Sequence, residues 1–530
     1  MWFVNNMDPF GVIYDMISKK NFRRIAVVLP LAVGCMAGFT AVARETVGYE
    51  AEVMLNAGSG DFAPYYIASN RHGLLTQSSG ALLRLEAERG FDLSRRFSYG
   101  YGAEVLTGYA DKVDYLRYDP SAEVFRAHGE GPAAISLQQL YGEVKYRGVF
   151  LTVGMKARES ALLNFSLSSG DLVESGNARP VPEVRVGFVD FQDIPLTDGW
   201  VQIQCEIAYG KFADNDWMKD HYNYYDWHIN LGALYHYKRC YFRTKPSQPV
   251  SVTVGMQTAG QFGGTTYVYT DGVQTKRYAG RTSVKDFFNM FIPRQQSGSR
   301  FYDGNSLGSW DIMARYRFGN GAQLKAYLQK PWEDGSGIGW MNGFDGLWGI
   351  EYDAAQPDAI VGGAVVEYID FTNQSGPIHW SPGDSPGTTI TSNATGADAY
   401  YNNFQYNSYM NYGMSLGTPF LPAPIYNTDG YMAYIDTRVR GFHAGVKGRI
   451  GNVDYRLLGG YRKGWGDGKS PTAATRHDTS VMLEGCYTLP SMPAMRVKAQ
   501  VGFDSGDMFG DNFGACVTVA YRGSLNFGKK

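Results

Sequence analysis

Three stretches of the chain set aromatic rings among amides and carboxylates at close spacing. PWEDGSGIGWMNGFDGLW (331–348) carries Trp332, Trp340 and Trp348 with Glu333, Asp334, Asn342 and Asp345. DAYYNNFQYNSYMNY (398–412) interleaves Tyr400, Tyr401, Tyr406, Tyr409 and Tyr412 with Asn402, Asn403, Asn407 and Asn411. DNDWMKDHYNYYDW (214–227) offers Trp217, Tyr222, Tyr224 and Tyr225. Flat apolar faces ringed by planar donors and acceptors suit a saccharide, whose rings stack and whose hydroxyls take hydrogen bonds. The competing reading of each residue is that it packs a loop or sits in an interfacial belt. Asn177 and Arg179 of NARP (177–180) and the pair Asn70-Arg71 are further candidates. Toward an acidic polymer, Arg71, Arg158 and Arg179 would be the charge partners.

The sequence holds little that could do catalysis. GDSPG (383–387) matches G-x-S-x-G, but that motif needs a strand–turn–helix context to expose its serine. Ser385 instead follows Pro382 and precedes Pro386 in a loop-like run, with His379 six residues upstream. No H-E-x-x-H, phosphate-binding loop or zinc spacing occurs. Neither a catalytic residue nor a metal or other cofactor is expected.

The elements that would carry these loops are strands. In WVQIQCEIAYG (200–210), Val201, Ile203, Cys205, Ile207 and Tyr209 alternate with Gln202, Gln204, Glu206 and Ala208. A strand with this period has one apolar and one polar face. YEAEVML (49–55), MRVKAQVGF (495–503), CVTVAYRGSLNF (516–527), VDYRLLGGYR (453–462), AQLKAYLQK (322–330) and DIMARYRF (311–318) repeat it. Helical periodicity is nearly absent; TSVKDFFNMFI (282–292), with Val284, Phe287, Phe288 and Phe291, is the main exception.

Connections decide what the strands build. Short turns near 92–96, 147–148, 192–199, 243–249, 319–322, 354–358, 451–452 and 490–493 alternate with longer segments. Those lie near 56–80, 110–135, 158–181, 211–226, 260–310, 331–345, 372–435, 464–477 and 505–512. Such alternation marks an outer-membrane barrel, with short periplasmic turns and longer extracellular loops. Eight turns and nine loops join eighteen strands. The fold expected is therefore all-β: a transmembrane outer-membrane β-barrel of about 18 antiparallel strands, with long extracellular loops and a short helix near 282–292. Its polar faces then line a lumen. Glu52, Glu143, Lys145, Arg185, Arg315, Arg317, Lys447, Arg449, Arg456, Arg496, Lys498 and Arg522 fall on that parity, most simply as a structural network.

Composition agrees. The chain has 530 residues, 15% aromatic and 19% charged, with 38 tyrosines and a formal net charge of −2. Near-neutrality argues against a nucleic-acid partner. Tyrosine suits both strands and interfacial girdles. KKNFRR (19–24), the apolar 25–39 and Ala41-Val42-Ala43 read as a signal peptide over 1–43, with a true start at Met16. LAVGC, ending at Cys35, only loosely resembles a lipoprotein box, because Ala32 stands where leucine is preferred. One barrel domain then spans 44–530. Cys205, Cys240, Cys486 and Cys516 allow three pairings. Cys205 and Cys240 fall on neighbouring strands, although free thiols on a wall are the plainer expectation.

Several blocks resemble the Wzi family of capsule-assembly proteins. They are SGDFAPYYIASNRHG (59–73), LNFSLSSGDLVESGNARPVPEVRVGFVDF (163–191), EDGSGIGWMNGFDGLWGIEY (333–352), YYNNFQYNSYMNYGMSLGTPFL (400–421) and DTRVRGFHAGVKGRIGNVDYRL (436–457). They run in matching order from about residue 47 to the end. The resemblance implies an eighteen-stranded outer-membrane barrel that attaches or organises capsular or other surface polysaccharide, as a lectin and not an enzyme. Its partners would be that polysaccharide, outer-membrane lipid and capsule-export machinery. One departure is that no segment here matches the family's small periplasmic helical bundle. The rival expectation is a porin for small solutes or saccharides, and behind it an outer-membrane hydrolase. Strand patterning cannot separate these; whether loops 260–310 and 372–435 close the mouth can.

Overall fold

The structure, a computed structural model, describes residues 45–292, 304–333, 335–375, 398–468 and 470–527. The expected signal peptide, the GDSPG motif with His379, and Asp334 lie outside them. Strands β1 to β9 are Glu45–Ser59, Gly80–Arg89, Phe97–Ala110, Ile135–Tyr146, Val149–Met155, Glu183–Phe188, Val201–Lys211, Trp227–Thr244 and Val250–Thr270. Strands β10 to β18 are Asn305–Arg317, Gln323–Trp332, Gly346–Asp353, Gly363–Asp370, Val439–Ile450, Val453–Gly466, Pro471–Thr488, Met495–Gly506 and Asn512–Phe527. Each pairs antiparallel with the next, and β1 pairs with β18 from Glu45↔Phe527 to Ser59↔Phe513, closing an eighteen-stranded barrel. Closure leaves no free edge. No described helix is long and apolar enough to cross a membrane.

Side-chain parity follows the sequence pattern. Val53, Leu55, Val366, Leu483, Val501 and Val517 point outward with large exposed apolar faces, while Glu50, Glu206, Glu351 and Gln500 point inward and are buried. On β7 the wet face is the lumen, with Ile203 outside and Glu206 inside. Arg84 illustrates how lumen charge is held: its guanidinium reaches Glu52 at 2.9 Å, Glu104 at 2.7 Å, Glu86 and Glu50. Cys205 and Cys240 stand opposite each other on β7 and β8 and form a disulfide, correcting the expectation of free thiols there. Cys486 and Cys516 are free.

Three connections differ from expectation. The loops expected near 260–310, 464–477 and 505–512 shrink to 271–304, 467–470 and 507–511, because the flanking strands run on. Residues 472–488 contain no proline, and Pro471 takes the first position of β16, where a missing N–H is tolerated.

The expected helix is Val284–Phe291, opened by a capping box between Ser283 and Asp286. It is not out in a loop but lies against the outward face of the wall. Phe287 packs edge-on against Phe262 at 5.0 Å, and its carbonyl accepts from the Tyr209 hydroxyl at 2.7 Å. The Lys238 ammonium donates to the Met290 and Phe291 carbonyls, satisfying the helix C-terminus. Val284 and Phe288 stay exposed on its far side.

Candidate functional site

Three long connections enter the barrel and pack together at its loop end. The 60–79 connection inserts a short helix, Tyr65–Ala68, whose four residues are all buried. Its Tyr66 hydroxyl donates to His443 Nδ1 at 2.6 Å, while His443 Nε2 donates to the Leu167 carbonyl at 2.6 Å. A carbonyl only accepts, so the imidazole carries its proton on Nε2 and presents a bare Nδ1 to the tyrosine. Arg462 lies over the rings of Tyr65, Phe420 and Phe509 at 4.0, 4.5 and 4.7 Å, joining wall to loops through cation–π contacts.

The 156–182 connection buries Leu167, Leu172 and Val173. Asp171 is its anchor. The carboxylate accepts from Ser160 Oγ, Gln257 Nε2, Gln329 Nε2 and the Val173 N–H at 2.6, 2.8, 2.7 and 2.8 Å, tying the loop to β9 and β11. Nearby, Arg185 meets Glu174, Glu183 and Glu206 at 2.5, 2.7 and 3.1 Å, with Tyr237 beneath it.

The segment 398–438 lies on these two. Tyr401 and Tyr409 donate through their hydroxyls to the Leu172 and Val173 carbonyls at 2.6 and 2.9 Å, and the Asn177 amide donates to the Ser415 carbonyl at 3.0 Å. The inward loops thus share one apolar core with the wall, containing Tyr65, Leu172, Tyr401 and Phe420.

The candidates from sequence divide sharply. Trp332, Asp345, Tyr400, Tyr401, Asn402 and Asn177 are buried within this packing. Asn342 Nδ2 donates to Tyr400 Oη at 2.8 Å, Tyr400 donates to Asp345 at 3.1 Å, and Asp345 also accepts the Asn373 and Gln374 N–H groups at 2.9 and 2.7 Å. Burial raises the Asp345 carboxyl to about 6. Asn402 clasps the Tyr434 backbone, donating from Nδ2 to its carbonyl at 2.8 Å and accepting its N–H at Oδ1 at 2.9 Å. Glu333, Asn403, Trp217 and Arg179 are partly exposed. Glu333 accepts the Ala399 N–H at 2.9 Å, and Asn403 donates to Asn305 Oδ1 at 3.0 Å. Trp217 stacks on His221 at 4.3 Å, and Arg179 bonds Gln138 and covers Tyr412 at 4.2 Å. Trp340 is 44% exposed. Trp348 stands apart from the rest: it projects outward from β12, stacked on Phe344 at 4.5 Å beside Tyr368, in the position of an interfacial girdle.

A second region carries no distinguishing mark in the sequence. Beneath the packed loops, at the end of the short turns, lies a cavity of about 710 Å³ lined by Arg71, Lys447, Arg456, Glu484, Lys498 and Gln500, among others. Pro357, Gly362 and Tyr455 border it, which places it toward turns 354–362 and 451–452. Arg456 pairs with Glu484 at 2.8 Å and donates to the Ser166 carbonyl at 2.9 Å. Lys447 donates to the Ser166 hydroxyl at 2.8 Å. Parity marked Lys447, Arg456 and Lys498 as inward, but nothing in a period of two tells which inward residues meet a loop and which meet open space.

No protein-family model matches the sequence, and no curated protein does. Among solved structures, the chain is similar to Wzi of Escherichia coli, described as an outer-membrane protein involved in group 1 capsule assembly and a carbohydrate-binding β-barrel. The likeness covers 95% of this chain and 88% of that one, at 12% identity and a TM-score of 0.52. OccAB2 of Acinetobacter baumannii follows at 9% identity and TM-score 0.46, covering 92% of this chain and 99% of that one. OprD of Pseudomonas aeruginosa stands at 8% and 0.40, covering 91% and 96%. At such identities the likeness to Wzi speaks for the fold: this chain is a barrel of the outer-membrane kind.

Proposed function

We propose that the chain is an outer-membrane protein of a Gram-negative cell, related to the Wzi family, that attaches or organises capsular polysaccharide at the surface without catalysis. The observation that carries this reading over a pore is the packed loop end. Connections 60–79, 156–182 and 398–438 are bonded to one another and to the wall, so the long loops are spent on filling the lumen and presenting a surface. In this reading Trp340, Glu333, Asn403, Trp217 and Arg179 offer contacts to sugar. The buried Trp332, Asp345, Tyr400, Tyr401, Asn402 and Asn177 hold the loops that present them. The carbohydrate-binding description of Wzi supports the ligand class.

Deletion of the gene, with cell-attached, released and total polysaccharide measured together, tests the reading. Polysaccharide shed at unchanged total, restored by wild type and less well by Trp340→Ala, is the expected outcome. Removing whole loops would dismantle the packing described above, so the exposed tryptophan is the cleaner probe. Unchanged attachment together with single-channel conductance from the purified protein would return the pore.

A further inference from the structure

The cavity at the turn end holds charge that the barrel itself does not use. Arg84, which also lines it, is neutralised by four carboxylates, and Arg456 by Glu484. Three other cations on its wall, Arg71, Lys447 and Lys498, meet no carboxylate among the described residues. Arg71 donates to Gln500 Oε1 through one arm, and its Nη1 is buried with no hydrogen-bond partner. Lys498 makes no hydrogen bond or ion pair among the described residues; Glu484 and Glu52 stand near it without direct contact, and so do the like charges of Arg71 and Arg456. An enclosed cation with no carboxylate in direct contact is a cost to the fold that bound anions or water must offset.

We propose that this vestibule binds a carboxylate-bearing saccharide, entering from the periplasmic end. This rests on the polysaccharide reading above and specifies the acidic chemistry of the ligand. The volume suits a ligand of more than one ring, since sites for compact ligands span roughly 300–1,000 Å³. The rest of the lining has the mixture a sugar requires: the ring of Tyr455 and the amides of Asn70 and Gln500. A bare inorganic anion has no use for these neutral groups. The ammonium groups of Lys447 and Lys498 act as point charges, and the free Arg71 arm supplies a directed N–H toward a carboxylate oxygen. Arg158 and Arg179, the other cations singled out for an acidic polymer, are engaged at the loop end by Glu183 and Gln138.

The site contains its own reporter. Cys486 is a free thiol on the cavity wall and sits directly across the β16–β17 ladder from Lys498. The full-length protein in detergent is alkylated with N-ethylmaleimide, and the Cys486 peptide is followed by mass spectrometry. The probe is a glucuronate-containing tetrasaccharide, compared with its carboxyl-reduced form and with inorganic phosphate. We expect the acidic tetrasaccharide to slow Cys486 alkylation at least tenfold, less at high salt, with no such effect from the reduced sugar. Lys498→Gln should abolish most of that protection, Lys498→Arg should retain it, and Trp340→Ala should leave it intact. Absence of protection, equal protection by the reduced sugar or by phosphate, or protection that survives Lys498→Gln would overturn the proposal. Attachment of polysaccharide in cells is read separately through Trp340→Ala, so the vestibule can fail while the surface reading stands.

Discussion

At the loop end of the lumen, Arg185 is fully enclosed and meets three carboxylates; at the turn end, Lys498 faces a 710 Å³ cavity and meets none. Both lie on inward-facing positions of barrel strands, β6 and β17, in the same chain and with the same period. The difference lies in the charge that the loops bring. Glu174 of the 156–182 connection supplies part of the Arg185 cage, whereas the 60–79 connection sets Arg71, a like charge, near Lys498. A satisfied buried charge is part of the scaffold, and removing one partner leaves the others stranded. A charge left open to a cavity can be altered with little effect on the scaffold, and so is available to a ligand.

The sharpest way to break this contrast is Arg185→Met. It leaves Glu174, Glu183 and Glu206 in the interior without their common partner and should cost about 3–5 kcal/mol. The folded band of unboiled protein in gel electrophoresis should convert to the unfolded band at markedly lower temperature; an unchanged midpoint would mean the network is not structural. Next comes pH. Asp345 titrates near 6 when folded, against an ordinary value near 3.9. Because the folded value is the higher, the carboxyl favours the packed loops while protonated, and that contribution is lost as pH climbs from about 4 through about 6. Amide protection in 398–434, corrected for intrinsic exchange, should be lower at pH 7.5 than at 4.5 by at most roughly 3 kcal/mol. Asp345→Asn should flatten the dependence. Tyr66→Phe removes one hydrogen bond to His443 and should cost about 1 kcal/mol in urea unfolding from lipid vesicles. The smallest effect is the most informative: Lys498→Gln should shift the same transition by under about 0.5 kcal/mol, the range of a substitution without partners. A large loss there would place Lys498 in the scaffold.

Much of the wall was legible because a barrel strand writes its two environments into alternate residues. Ile203 and Glu206, or Val501 and Gln500, could be assigned to lipid and lumen from type alone, and the short turns fixed the strand count. The same rule applied to LWGIEY would have put Trp348 with Ile350 and Tyr352 on the outer face. The candidate site was less legible for a physical reason. Tyr400, Tyr401 and Asn402 look like surface ligands in a loop sequence, yet the loop folds inward: Tyr400 bonds Asn342 and Asp345, Tyr401 the Leu172 carbonyl and Asn402 the Tyr434 backbone. Position along the barrel axis is likewise unwritten, so Lys498 and Arg185 read as equals until the loops are in place. Helix Val284–Phe291 shows a third limit: its apolar period was plain, but an apolar face suits the outside of a membrane wall as well as the inside of a fold.

The seam between β1 and β18 also orders events in time. Thr46 donates to Asn526 across a separation of 480 residues, so the ring cannot be sealed until β18 has been delivered. By then connections 60–79, 156–182 and 398–438 have all emerged. They must be enclosed as the cylinder shuts or drawn in afterwards through its outer opening. A strand lost from the C-terminal end would therefore not merely shorten the wall. It would leave an unsealed sheet around a filling already made, with two long hydrogen-bonding edges exposed to any neighbour.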